Sequence, residues 1–237
     1  MVYVANINKK YLFLLINYYF YKKKSTLQIN LSDIKNNRLI GYRAHSVMSP
    51  QCRINFPDRQ ILSGMKHSSV LLLLFHEDEE THIVFIKRCA SDGAHSRQIS
   101  FPGGASDESD KTQQDTAIRE CREEIGVKAP IQVIRKLTDL YVPVSNFLIH
   151  PFVGFMKEKP NGFLPNPGEV DKIFTESVLN FTKQSFRDVY HFYQNGRPCN
   201  APCFLSNGYA IWGATAMILN EFLGLIPKNF INLQQNI

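Results

Sequence analysis

Residues 103–127, GGASDESDKTQQDTAIRECREEIGV, decide the reading of this 237-residue chain. Within them Arg119-Glu120-Cys121-Arg122-Glu123-Glu124-Ile125-Gly126 sets three carboxylates in little more than one helical turn. At about 100° per residue, Glu120, Glu123 and Glu124 share a sector roughly 100° wide. Ala117, Ile118, Cys121 and Ile125 take the other side, so an apolar stripe can face a core while the acids face a cleft. Two carboxylates about 5 Å apart repel by roughly 3 kcal/mol at an effective dielectric near 20, and by under about 1 kcal/mol in water. A bound divalent cation reverses the sign of that energy. Hard oxygen donors without a His/Cys cage favour Mg²⁺ or Mn²⁺ over zinc. The bland alternative is a solvated acidic face in which Arg119 pairs with Glu123 at i, i+4.

Context weighs against the bland alternative. Ser100-Phe101-Pro102-Gly103-Gly104 precedes the helix, and Gly126 stands where a C-terminal stop is expected. Paired glycines permit a tight turn, so the Gly104 carbonyl can join Glu120, Glu123 and Glu124 as a metal ligand. Further out, Val70–Phe75 and His82–Lys87 read as strands joined by the acidic turn 76–80. Their apolar runs lack clean alternation, as expected of strands covered on both faces. Ser91–Ser96 reads as a loop, Gln98–Phe101 as a short strand, and Ile131–Leu140 and Ile149–Met156 as further strands. Val170–Thr175 fits a strand or a helix, Asn207–Trp212 ends strand-like, and Ala214–Leu223 has helical spacing. The expected architecture is α/β, a mixed β-sheet between helices.

The segment resembles the Nudix box, the metal- and diphosphate-binding signature of Nudix hydrolases. The family pattern runs Gly, five residues, Glu, seven residues, then Arg-Glu-aliphatic-x-Glu-Glu-x-Gly-aliphatic. Counting from Gly104, Asp110 replaces the usual Glu, eight residues separate it from Arg119, and Cys121 replaces an aliphatic residue. A longer, aspartate-containing box after Phe-Pro-Gly-Gly looks like the coenzyme A diphosphatase branch. So does the upstream Arg, His, Gln pattern, matched by Arg88, His95 and Gln98. Arg97 stands where that branch has a small glycine. Similar segments at Thr138–Gly154, Asn166–Val170 and Ile211–Ala216 extend the resemblance over roughly residues 65–226.

The resemblance implies a Nudix-type α/β/α sandwich and a role for each matched residue. Glu120, Glu123, Glu124 and Gly104 are expected to hold Mg²⁺ or Mn²⁺, and Arg119 to orient the acids. Glu120 and Glu169 are both candidates for the base that takes a proton from water; Glu169 also fits a plain surface acid at a strand edge. Arg88 and His95 are candidates for substrate phosphates, though a lone His in a Ser/Gly loop is more often structural. Asp107 and Asp110 do not make a calcium loop, because the central glycine is missing and Lys111 occupies a ligand position. They are expected to cap the helix or to support outer-shell waters. Trp212 and Thr215 read as core and helix-start residues with no substrate contact implied.

Composition separates the chain into unequal parts. The net charge of +6 hides a basic first quarter: residues 1–60 hold ten Lys/Arg against two Asp, giving +8, and the rest holds seventeen against nineteen, giving −2. The expected organisation is an N-terminal basic and apolar extension (1–36), a lead-in (37–64), the catalytic domain (65–226) and a tail (227–237). The run from Tyr11 to Tyr21 is too short to cross a bilayer as a helix, which needs about 20 residues. No small-residue cleavage site follows it, so a signal peptide is not supported. The extension reads as an over-extended start or a loosely ordered segment, with a peripheral membrane contact as the minority reading. Five cysteines without metal spacing lead to an expectation of reduced thiols and a cytoplasmic protein. The expected partner is a small nucleotide, with no nucleic acid and no stable membrane insertion.

Three functions compete. The first is metal-dependent hydrolysis of coenzyme A or its thioesters to adenosine 3′,5′-bisphosphate and 4′-phosphopantetheine or its acyl form. The second is the same chemistry on NADH or ADP-ribose. The third is a catalytically silent nucleotide-binding module, which the intact glutamate trio argues against.

Overall fold

A computed structural model describes residues 28–53, 64–90 and 95–227. The order of elements is Leu31–Asn36 (α1), Tyr42–Val47 (α2), Lys66–Glu77 (β1), Glu80–Arg88 (β2), Ile99–Ser100 (β3), Gly103–Ala105 (β4) and Gln113–Ile125 (α3). Then follow Gln132–Lys136 (β5), Leu140–Val142 (β6), Phe147–Met156 (β7), Val170–Ser177 (β8), Arg187–Gln194 (β9), Arg197–Ser206 (β10), Tyr209–Ile211 (β11) and Gly213–Leu223 (α4). Eight strands form one mixed sheet whose main path is β3-β2-β1-β7-β5; β4 pairs with β1, β6 with β7 and β8 with β2. The central pair, β1 and β7, is parallel from Lys66↔Phe147 to Phe75↔Met156, and the other pairings are antiparallel.

The apolar run of β1 is legible because both faces are covered. Leu72 and Leu74, with Ile83 and Phe85 of β2, pack against Ile218 and Phe222 of α4. Leu71, Leu73 and Phe75, with Val84 and Ile86, pack against Ala117, Cys121 and Ile125 of α3. Helices on both faces of a mixed sheet make the expected α/β/α sandwich. Each fully buried Leu or Phe contributes about 1.5–3 kcal/mol, so the two faces supply most of the driving force. Val170–Thr175 is strand, settled by its pairing with β2.

Two parts of the chain depart from expectation. Tyr11–Tyr21 and the rest of residues 1–27 lie outside the described residues. Residues 28–36, however, are packed: Ile29 and Ile34 are buried in the α4-side core, and the Ile29 N–H donates to Thr81 Oγ1 at 2.8 Å. Arg135 then donates to the carbonyls of Ile34 and Asn37 at the end of α1. The start of the folded unit therefore lies before residue 37. Glu221 of α4, fully buried, fastens the lead-in by accepting from the Gly41 N–H, from Thr138 and from His45 Nε2.

The second departure is a separate three-stranded antiparallel sheet, β11-β10-β9. Its turns carry Asn195-Gly196 and Asn207-Gly208, all four residues with φ between 52° and 78°. Asn-Gly at positive φ is the signature of a tight two-residue hairpin. Here the cysteine expectation is also corrected. The Gln51 N–H donates to the Asn200 carbonyl at 2.9 Å, laying the lead-in along β10, and Cys52 and Cys199 form a disulfide with Cα atoms 5.8 Å apart. Local spacing gave no sign of a pair 147 residues apart. Cys89, Cys121 and Cys203 remain thiols.

Candidate active site

Helix α3 is framed as its sequence requires. Thr112 is the N-cap, its side chain accepting from the Asp115 N–H, and Gly126 ends the helix in the left-handed conformation at φ 70°. Ala117, Cys121 and Ile125 are buried as expected, while Ile118 is only half-buried. The three glutamates meet very different surroundings. The side chain of Glu123 is 53 % exposed, that of Glu120 15 % and that of Glu124 1 %. A solvated acidic face is therefore not what forms, although the Arg119–Glu123 pair exists at 3.0 Å.

Arg119 is the hub. It donates through Nε and Nη2 to both oxygens of Asp110 at 2.9 and 2.8 Å, and through Nη1 to Glu120 at 2.8 Å and Glu123 at 3.0 Å. Its fifth bond goes to the Ala105 carbonyl at 3.1 Å. The expectation that Asp110 caps the helix is corrected here: Thr112 does the capping, and Asp110 clamps Arg119. Asp110 also accepts from Thr116 Oγ1 and from the Asp107 N–H. The guanidinium, with those further donors, holds the Asp110 carboxyl well below the usual range, and the same pairing raises Arg119.

Glu124 points inward, accepting from the Gly103 N–H at 2.7 Å and from Arg88 at 3.3 Å. Burial pushes its carboxyl up to about 7 despite those donors, and the charges of Glu120 and Glu169 act in the same direction. Burial also raises Glu120, against the pull of Arg119. Gly104 explains its own identity. A Cβ there would meet the Glu120 carboxylate, with Oε1 only 2.7 Å away. Glu169, exposed and immediately before β8, lies close enough for its charge to reach Glu120 and Glu124.

The upstream loop is closed by its own residues. His95 has Nδ1 at 3.2 Å from Gln98 Oε1 and Nε2 at 3.1 Å from Ser145 Oγ, so both ring nitrogens are engaged in holding the loop. Arg97 adopts φ 58°, the region where a glycine carries no penalty. Arg88, His95 and Gln98 border, together with Gly103 and Gly104, a cavity of about 1270 Å³. Trp212 and Thr215 border it as well, which sequence reading did not anticipate; Thr215 is largely buried and donates to the Ile99 carbonyl at 3.0 Å.

Among the described residues no three His, Cys, Asp or Glu side chains are gathered into a ready-made metal cluster. Instead Arg119 engages Glu120 and Glu123, and the Gly103 N–H and Arg88 engage Glu124. The donor set nonetheless fits a hard cation. It offers two carboxylates withdrawn from water, with no side chain on Gly104 to separate its backbone from Glu120, and a charge that burial alone leaves poorly compensated.

Comparison with known proteins identifies the family. The NUDIX domain model matches residues 65–192, more than half of the chain. The chain belongs to the Nudix family. Nudix domains are hydrolase domains that generally use divalent metal ions. The chain is 32% identical over 172 residues to Nudix hydrolase 15, mitochondrial, of Arabidopsis thaliana, covering 65% of this chain and 56% of that protein. It is 32% identical over 136 residues to the human mitochondrial coenzyme A diphosphatase NUDT8, covering 56% and 58%. An uncharacterized Nudix hydrolase NudL from Photorhabdus laumondii is 29% identical over 177 residues, covering 72% and 90%. The matched part thus spans little more than half the length of the first two relatives. Among the described residues no helix is long and apolar enough to cross a membrane.

Proposed function

We propose that this Nudix protein is a divalent-metal-dependent diphosphatase that hydrolyses the P–O–P linkage of coenzyme A or its thioesters. The products are adenosine 3′,5′-bisphosphate and 4′-phosphopantetheine or its acyl form. The observation that carries the reading is Glu124: a carboxylate 1 % exposed, held against the Gly103 N–H beside Arg88 and lifted to about 7 by burial. A buried carboxylate with so little counter-charge is costly unless it serves a charged ligand. The coenzyme A assignment rests on Arg88, His95 and Gln98 ahead of Phe101-Pro102-Gly103-Gly104, and on the activity in the name of the human relative.

Glu120, Glu123, Glu124 and the Gly104 carbonyl would hold Mg²⁺ or Mn²⁺. When bound, such an ion neutralises phosphoryl oxygens and makes water more acidic. Arg119 fixes the rotamers of Glu120 and Glu123, and Asp110 fixes Arg119, so these acids are in place before substrate arrives. Arg88 stands between Glu124 and the cavity and can turn a donor to a phosphate oxygen. His95 secures the loop through Gln98 and Ser145; contact with phosphate would require it to release one of them. Glu120 and Glu169 are the two candidates for accepting the proton from water, and Glu169, which is exposed, has the freer access. A cytoplasmic location, expected from the cysteine pattern, now competes with the mitochondrial names of two relatives and with the Cys52–Cys199 pair.

The test is a panel of coenzyme A, acetyl-coenzyme A, NADH and ADP-ribose incubated with Mg²⁺ in H₂¹⁸O, with products resolved by mass spectrometry. Coenzyme A substrates should be cleaved preferentially, with one ¹⁸O in one of the two phosphate products. A preference for NADH or ADP-ribose would replace the substrate assignment, and absence of any turnover would favour the silent binding module.

A further inference from the structure

The cavity that begins at Gly103 and Gly104, at about 1270 Å³, exceeds the roughly 300–1,000 Å³ of a typical small-molecule site. A diphosphate group fills only one end of such a space. The far wall comes from the second sheet and from the turn leading into α4, where Phe192 and Trp212 both border the cavity. Tyr190 and Phe192 are two residues apart on β9, so they share one face of the strand, with ring centroids 6.0 Å apart and planes 22° from parallel. The indole of Trp212 lies against both. Its centroid is 4.9 Å from Tyr190 at 21° and 4.5 Å from Phe192 at 36°.

This cluster is unlike the aromatic centre of the core. Inside the core Phe85 stacks on Phe101 and meets Phe181 edge to face, and all three are at most 1% exposed. Trp212 and Phe192 are only half-buried, and Tyr190 is exposed. An indole held by two neighbouring rings has already lost its rotamer freedom, so a planar ligand stacking on it meets a small ordering cost. No basic side chain is needed for such a contact, because every nucleobase has a π-face.

We propose that Trp212, backed by Tyr190 and Phe192, is the subsite that stacks the base of a purine nucleotide whose diphosphate lies at the Gly103–Gly104 end. The proposal deepens the nucleotide reading of the site and rests on it. It assigns the rigid planar end of the substrate to the aromatic wall, and it makes Trp212 a determinant of specificity rather than a packing residue.

Trp212 is the sole tryptophan of the chain, so intrinsic fluorescence reports on this position alone. The experiment titrates the full-length protein in EDTA with adenosine 5′-monophosphate, and in parallel with ribose 5-phosphate, which lacks the base. A saturable fluorescence change with the first and none with the second is expected. Trp212→Ala should weaken adenosine 5′-monophosphate binding about tenfold or more by calorimetry, with Trp212→Phe retaining most of it. In turnover assays Trp212→Ala should raise KM by a similar factor while kcat stays within about threefold, since the ring touches no reacting atom. Phe192→Ala, on the exposed hairpin, provides a second variant with a several-fold weakening should Trp212→Ala not fold. No saturable response to adenosine 5′-monophosphate, or folded Trp212→Ala binding it as well as the native protein, overturns the proposal. Binding in EDTA needs no hydrolysis, so the two readings fail separately. A base-dependent response without turnover would remove the diphosphatase and leave the subsite, and turnover without that response would do the reverse.

Discussion

At the Gly104 end of the cleft, Arg119 makes five hydrogen bonds to Asp110, Glu120, Glu123 and Ala105. At the Trp212 end three rings stack, and the nearby Cys52–Cys199 disulfide ties the lead-in to β10. The first region is largely local in sequence and electrostatic; apart from Arg88 and Glu169, its parts lie within residues 103–124, and its buried acids cost stability unless a ligand balances them. The second is assembled from residues 52, 190–199 and 212 and is held by apolar contact and a covalent link. On the proposed reading, chemistry and shape recognition are divided between these two constructions, which fail in different ways.

Substitution should separate them, most strongly at the acid end. Glu124→Gln keeps an acceptor for the Gly103 N–H but removes the charge, so kcat should fall by at least about a hundredfold while the melting temperature holds or rises. Near-normal turnover by this variant would erase the distinction between the regions. Gly104→Ala forces a Cβ into the Glu120 carboxylate, and steady-state assays should show kcat reduced about tenfold or more. At the other end, Cys52→Ser should cost about 2–4 kcal/mol in denaturant unfolding, with kcat within about twofold of the native value.

The smallest effect is a shared one. His76 and His150 belong to neither region, and burial lowers the pKa of both rings. A base whose folded pKa is depressed contributes stability above its unfolded value of about 6.5 and loses it as pH falls below that point. In metal-free buffer Glu124, lifted by burial, acts in the opposite sense over the same range, so on acidification below about pH 6.5 the melting temperature of His150→Gln should fall less, or rise more, than that of the native protein. Equal slopes for the native protein and His150→Gln would place the titration in the acid cluster instead.

The same division explains what could be read in the residues. The acids, the glycine stop at Gly126 and the two-faced strand β1 repeat at spacings that report geometry directly, and the sandwich followed from them. Arg97 at φ 58° accounts for the glycine usual at that place in the resembling branch. The orientation of Glu124 was not legible. All three glutamates share a helical sector, and only the approach of Gly103 and Arg88 makes one of them buried. The second sheet escaped because β9 is exposed along most of its length and lacks an apolar pattern. The Asn195-Gly196 and Asn207-Gly208 turns were the available signal, and read as hairpins they would have brought Tyr190 and Phe192 toward Trp212. Nothing local announces that Cys52 meets Cys199, or that Ile29 and Ile34 complete the core.

The account depends on the acids around Arg119 being a cation site. Calorimetric titration of Mn²⁺ into the EDTA-stripped full-length protein, with and without adenosine 5′-monophosphate, tests this most directly. Saturable uptake that Glu120→Gln and Glu124→Gln each weaken is the predicted result. Absence of uptake by folded protein under both conditions, or uptake indifferent to both substitutions, would contradict it.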